Sequence, residues 1–178
     1  MQMDEGLDTG GMYVQEAIDI GPRETSATLH DRLAALGAEM LRRYLGDILA
    51  GHLLPQPQDD TASTYAPMIR KEAGAIDWRQ DAATIDRLVR AMTPWPGAYT
   101  FWAGESLKVL SARPISGPQP AGEPGLVTTG AEGLTVAAGE GSVVLEVVQL
   151  PGKRPTAAAD FARGRPDFIG SILTQPPA

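Results

Sequence analysis

The hydrophobic period changes once along this 178-residue chain, and where it changes constrains the fold more than any other feature. From Thr25/Ser26 onward, Leu29, Leu33, Leu36, Met40, Leu41, Tyr44, Leu45, Ile48 and Leu49 recur at three- and four-residue steps. That spacing predicts one amphipathic helix of about six turns, with a Thr/Ser N-cap and Gly51 as its stop. From Ala98 the pattern is that of strands: AYTFW, LKVLSARPI, GLVTT, GLTVAA and SVVLEVVQL are separated by glycines such as Gly130, Gly133, Gly139 and Gly141. Five short strands are expected, the first two joined as a hairpin through Ala103-Gly104-Glu105-Ser106. Such a set fits a small open β-barrel of the oligonucleotide-binding type, although the spacing equally admits a meander.

The remaining segments fill in an α+β chain. MYVQEAIDI (12–20) reads as a strand that ends at Gly21-Pro22. One strand cannot cover the wide apolar stripe of the long helix, so helix 26–50 is expected to expose apolar surface, with a hazard of aggregation or oligomerisation. Between Gly51 and Gln80 there are three prolines and no clear period, with apolar anchors at Tyr65, Met68, Ile76 and Trp78. A loop of that length inside one domain is improbable, so it reads as a linker strapped between two units. A second helix is expected after Asp81, with Ile85, Leu88, Val89 and Met92 on one face and Pro94 ending it. TAAADFARG reads as a short helix capped by Thr156 and closed by Gly164, while Pro118–Pro124 and the terminal Gln175-Pro-Pro-Ala are expected to be flexible. The organisation is therefore residues 1–50, a linker over 51–80, and a β domain over 81–174.

Charge and composition narrow the function. Residues 1–60 hold eleven Asp/Glu against four Arg, a net of −7, whereas residues 61–178 hold eleven of each sign. A polyanion is disfavoured on the first third and permitted farther along, where Arg70-Lys71 and Lys153-Arg154 form basic pairs. With no cysteine and only His30 and His52, neither a disulfide framework nor a thiolate metal site is available, and no metal is expected. Both histidines read as surface residues. No apolar run approaches the roughly 18–20 residues of a membrane span, so a cytoplasmic protein without a membrane partner is expected. Trp78, Trp95 and Trp102, with Tyr99 and Phe101, could stack on bases; packing is the preferred reading, with Trp95 anchoring the domain junction.

The opening stretch DEGLDTGG sets three carboxylates, Asp4, Glu5 and Asp8, among Gly6, Gly10 and Gly11. It is not a calcium loop: with Asp4 as position 1, Gly6 stands at 3 and Gln15 at 12, where a donor and a glutamate belong. Nor is it a phosphate cradle, since it has no lysine and three negative charges. From composition alone it is a tight turn whose Asp side chains satisfy nearby N–H groups.

MQMDEGLDTGGMY, TSATLHDRLAALGAEML, TYAPMIRKEAGAIDW, RLVRAMTPWPGAYTFW and LPGKRPTAAADF, in this order and at these intervals, resemble methionyl-tRNA formyltransferase over nearly all of residues 1–170. DEGLDTG and the KEAGAIDW…TPWPGAY pair are the most specific. The resemblance implies a doubly wound α/β domain that binds 10-formyltetrahydrofolate, of which residues 1–50 would be the C-terminal remnant. It also implies a strap and a C-terminal barrel that helps hold initiator methionyl-tRNA, with no DNA among the partners. The family carries an Asn-x-His pair and a Ser-Leu-Leu-Pro loop upstream of this turn, so the chain is expected to lack the N-terminal half of the enzyme as a partner and to be inactive alone. Asp8 matches the family's catalytic aspartate, which would hold an imidazolium and order a water during proton transfer. Asp4, Glu5, Gly6 and Leu7 would form the wall for the folate. Arg70, Lys71, Lys153, Arg154, Arg163 and Arg165 would contact tRNA phosphates. The alternatives are a non-catalytic tRNA-binding module and a sister formyltransferase acting on a sugar nucleotide or hydrolysing formyl-folate.

Overall fold

Thr25 starts the longest element because its hydroxyl accepts the N–H of Thr28 at 3.3 Å while its own N–H donates to the Thr28 hydroxyl at 3.0 Å, a reciprocal cap. Helix α1 runs from Ser26 to Leu49, and Gly51 follows in the left-handed region at φ +73°, as its stop position predicts. A computed structural model describes residues 1–115 and 122–176. Most of Pro118–Pro124 and the last two residues, for which flexibility is expected from sequence, lie outside the described residues.

The chain divides into two units, Met1–Met68 and Ile69–Ala178. In the first, no residue of α1 is buried. The helix is decorated instead by ion pairs: Arg32 reaches Glu24 at 2.7 Å, and Glu39 meets Arg42 and Arg43. The Arg32 hydrogen bonds, and then the Gly21 N–H, hold the Glu24 carboxyl below the usual range. The expected strand over 12–20 does not form. Met12 makes an isolated antiparallel bridge with Gln56, and residues 13–20 find no ladder, because a β pattern without a neighbouring strand leaves its backbone groups unpaired.

The second unit is built on one sheet of six antiparallel strands. Its strands are β1 (Ala98–Trp102), β2 (Glu105–Ile115), β3 (Val127–Gly130), β4 (Gly133–Ala137), β5 (Ser142–Gln149) and β6 (Thr156–Ala157), in the order β1-β2-β5-β4-β3 with β6 on β5. The β1–β2 turn is tighter than expected. Ala103 at φ +49° and Gly104 at φ +82° make a two-residue connection, and Glu105 and Ser106 already pair in the ladder. Strand pairing also corrects the tail: Thr156 and Ala157 pair with Val148 and Val147, so helix α3 (Ala158–Arg163) starts later, with Ala157 at the cap position and no side-chain cap bond.

The strand ladder does not close into a barrel, since β1 and β3 do not pair with each other. The C-terminal segment lies against both edges instead. Phe101 and Thr174 exchange backbone bonds of 2.9 and 3.0 Å, while Val127 donates to Ser171 and accepts from Gly170 at 2.9 and 2.8 Å. Helix α2 (Ala82–Ala91), capped by Asp81 as expected, lays Ile85 and Val89 on the sheet beside Leu107, Val136, Val143 and Val148. Of the four anchors expected between 51 and 80, Ile76 and Trp78 are buried in this core, whereas Tyr65 and Met68 are 89% and 87% exposed. Trp78 donates its indole N–H to the Thr100 hydroxyl at 2.9 Å, which in turn donates to the Thr174 carbonyl at 2.8 Å, so the buried polar groups are satisfied in a chain. Trp102, Phe161 and Phe168 meet edge to face with ring centres 4.9–5.7 Å apart.

Candidate functional site

In the first unit the acidic turn is held from a distance of about fifty residues along the chain. Gln58 donates its side-chain N–H groups to the carbonyls of Asp8 and Gly10, both at 2.8 Å. Met12 and Gln56 exchange a pair of 2.8 Å backbone bonds, and Gln2 donates to Gly11 at 2.8 Å. Gly10, the one buried residue of this unit, is required: a Cβ there would lie 1.8 Å from the Gln2 carbonyl oxygen. Within this frame Asp8 sits at φ +57°, in the left-handed region that Asp enters more readily than most non-glycine residues. The sequence pattern contains the turn but not Gln58; its signal is the PQPQ run opposite Met12, which reads as linker until the bridge is seen.

Asp8, Leu7 and Thr9 face a cavity of about 640 Å³ whose other wall is the segment from Gln58 to Ala66. Asp8, Asp59 and Asp60 line it, and no Lys or Arg does. Asp59 accepts the Thr61 hydroxyl at 2.6 Å and its N–H at 3.0 Å; those bonds hold its carboxyl below the usual range and keep it ionised. The cavity therefore accepts hydrogen bonds from amino and N–H groups and repels anions. Its size is that of a small-molecule pocket. Asp4, Gly6 and Leu7 line an adjoining hollow of about 370 Å³, while Glu5 lines neither, and neither histidine does. His30 and His52 are exposed, next to Asp31 at 3.3 Å and Asp47 at 3.7 Å.

The cations of the second unit are ion-paired, held by a neutral side chain or, among the described residues, without either partner; Arg87 is of the second kind, donating to the Thr84 hydroxyl at 2.8 Å. Arg79, Arg90, Arg113 and Arg163 are paired with carboxylates at 2.7–2.9 Å, and Arg165 lies over the Phe161 ring at 4.3 Å. Among the described residues Arg70, Lys71, Lys108, Lys153 and Arg154 have no ion-pair partner. Lys108 is a cation that the sequence pattern passes over, as an exposed residue between buried Leu107 and Val109 on β2. Trp78 and Trp102 pack, as preferred from sequence; Trp95 does not, with 56% of its surface exposed. Among the described residues no helix is long and apolar enough to cross a membrane.

Residues 68–166 match the family described as formyl transferase, C-terminal domain, and residues 1–45 match formyl transferase. The methionyl-tRNA formyltransferase of Geotalea uraniireducens is 47% identical over 174 residues, 97% of this chain and 55% of that protein. That of Myxococcus xanthus is 47% identical over 172 residues, 96% of this chain and 54% of its own. The chain thus spans about half the length of the curated relatives it matches. Among solved structures, HypX from Aquifex aeolicus in complex with tetrahydrofolic acid has a TM-score of 0.66 at 21% identity, over 95% of this chain and 29% of that one. The N-formyltransferase from Helicobacter canadensis has a TM-score of 0.63 at 16% identity, over 80% and 52%. At those identities the likeness is one of fold, a formyltransferase-like α/β arrangement with an antiparallel sheet. With the family match extending over more than half of its residues, the chain belongs to the formyl transferases.

Proposed function

We propose that this chain is the C-terminal part of a methionyl-tRNA formyltransferase, which moves a formyl group from 10-formyltetrahydrofolate to the amino group of initiator methionyl-tRNA. The observation that carries the reading is the 47% identity to enzymes of that name across 97% of the chain. In this reading residues 1–50 belong to the formyltransferase domain, residues 51–80 link it onward, and residues 81–174 act as an open barrel of the oligonucleotide-binding type. The strap of residues 170–174 across both sheet edges supports the barrel reading.

Asp8 is the proton-handling carboxylate. The reaction needs a methionyl amine to lose a proton as it attacks the formyl carbon, and a carboxylate fixed beside the cavity can order the water or imidazolium that takes it. The Gln58 bonds and the left-handed backbone support this role by fixing where the carboxylate starts. Asp4, Gly6 and Leu7 form the folate wall where the adjoining hollow meets the cavity, whereas Glu5, which lines neither, takes no part in it. An acceptor-rich, cation-free cavity suits the amino and N–H groups of a pterin. Arg70, Lys71, Lys153, Arg154, Arg163 and Arg165 contact tRNA phosphates, and the first four have cations free to do so; Arg163 must first leave Asp160. No histidine lines the Asp8 cavity, so the chain alone is expected not to turn over. The test joins residues 1–178 to the N-terminal part of the Geotalea uraniireducens relative and assays formylation of methionyl-tRNA. Transfer by the fusion, with none by the chain alone, is expected; a folded fusion that transfers nothing contradicts the proposal.

A further inference from the structure

The exposed indole of Trp95 stands at the tip of a closed loop. Helix α2 ends at Met92, the Thr93 hydroxyl donates back to the Val89 carbonyl at 2.7 Å, and the Gly97 N–H returns to the Met92 carbonyl at 2.9 Å. Between them Pro94 and Trp95 are exposed, while Thr93 and Pro96 are part-buried. The turn Lys71–Gly74 packs against this loop because Gly74 has no side chain: a Cβ there would come within 2.2 Å of the Gly97 carbonyl oxygen. The Ile76 N–H then donates to the Tyr99 carbonyl at 2.8 Å and fixes the strap on β1. Tyr99 is the cross-strand partner of Lys108. Together Lys71, Trp95, Tyr99 and Lys108 line a cavity of about 470 Å³, along with Glu72.

Two ammonium groups against one carboxylate leave this nook with net positive charge, and neither lysine is engaged in an ion pair among the described residues. More than half of the Trp95 surface is open, and the residue lines this nook. An aromatic face flanked by unpaired cations is the chemistry that holds an unpaired nucleotide, whose base stacks while its phosphates meet the ammonium groups. Lys108 also lines the next hollow, with Gln149 and Pro151, and Gln149 donates to the Lys153 carbonyl at 2.7 Å. Lys108 thus lines both hollows, and the second is walled by the turn at 149–152 that precedes Lys153 and Arg154 in the chain.

We infer that Trp95, with Lys71 and Lys108, forms a stacking site for an unpaired nucleotide of the tRNA. This rests on the tRNA reading proposed above and adds to it a base contact and the cation Lys108. The site is tested by titrating the full chain with tRNA in dilute salt, following both affinity and tryptophan emission. Trp78 is buried and Trp102 is packed against Phe161 and Phe168, so quenching of the solvent-exposed emission reports Trp95. Quenching by tRNA is expected, and none by a fully paired RNA duplex or by polyglutamate. Trp95→Ala should weaken tRNA binding about tenfold with the salt slope unchanged, and Trp95→Phe should restore most of the loss. The double variant Lys71→Ala/Lys108→Ala should instead lower the slope of log affinity against log salt by about 1.5. Equal tRNA binding by wild type and Trp95→Ala, or quenching equally by duplex or polyglutamate, overturns the stacking site and leaves the tRNA reading standing. If Trp95→Ala fails to fold, the wild-type emission decides: bound tRNA without quenching overturns the site. A folded wild type that binds no tRNA in dilute salt overturns both.

Discussion

Helices α1 and α2 carry the same kind of apolar stripe and meet opposite fates. The 24 residues of α1 include none that is buried, and Leu41 and Leu49 remain 57% and 78% exposed. The ten residues of α2 bury Ala82, Ile85, Asp86 and Val89. α2 is the more sharply amphipathic of the two, and the two also differ in what each is given to pack on. α2 faces a six-stranded sheet, whereas the unit around α1 contributes a single isolated bridge, Met12 to Gln56. An amphipathic pattern therefore specifies a helix and a face, and burial is supplied by the partner.

Three substitutions test how differently the two units are packed. All three tryptophans lie beyond residue 68, so their emission in urea reports the second unit alone. Phe168→Ala removes a fully buried ring in contact with Trp102 and Phe161, and a loss of about 3–5 kcal/mol is expected. A loss under about 1 kcal/mol would mean that this core is not the packed one described here.

A smaller effect is expected at Asp77. Arg79 donates to it twice at 2.8 Å, and that pair, with the Arg79 backbone N–H, lowers the Asp77 carboxyl to about 2. A carboxyl depressed on folding stabilises above its unfolded pKa of about 3.9 and loses that contribution as pH falls through about 2. The second unit should therefore weaken between about pH 4 and pH 2, and Asp77→Asn should flatten that slope. Arg79 is 74% exposed, so solvent screening holds the effect to about 1 kcal/mol or less. An unchanged acid profile in Asp77→Asn would discount the pair. The smallest change belongs to Leu41→Ala on α1, expected within about 0.5 kcal/mol by helical circular dichroism during melting. A loss of 2 kcal/mol or more there, ~2 being the lower end for a buried leucine, would show that the α1 face is covered.

Local chemistry was legible in the residues and long-range pairing was not. The Thr25 cap, the Gly51 stop, the Asp81 cap and a hairpin near residues 103–106, though not its two-residue turn, follow from a few neighbouring residues. The strand expected at 12–20 needed a partner that this unit lacks, and β6 exists only because Val147 and Val148 stand opposite Ala157 and Thr156. The C-terminal segment that bonds both sheet edges has no period to announce it. At the proposed site, Asp8 is suggested by the family resemblance, since the turn's residues alone read as a tight turn. Gln58 could not be, because its role is set by two carbonyls 48 and 50 residues away. Lys108 and Trp95 look like an ordinary strand cation and a packed aromatic until their neighbours are known.

We propose that Asp8, held in its left-handed turn by Gln58, handles the proton in formyl transfer. The most direct test is Asp8→Asn in the fusion with the relative's N-terminal part, measuring formylation of methionyl-tRNA beside urea unfolding. A fall of about 10²–10⁴-fold in turnover with an unchanged unfolding midpoint is predicted. Turnover equal to that of the unsubstituted fusion would contradict it.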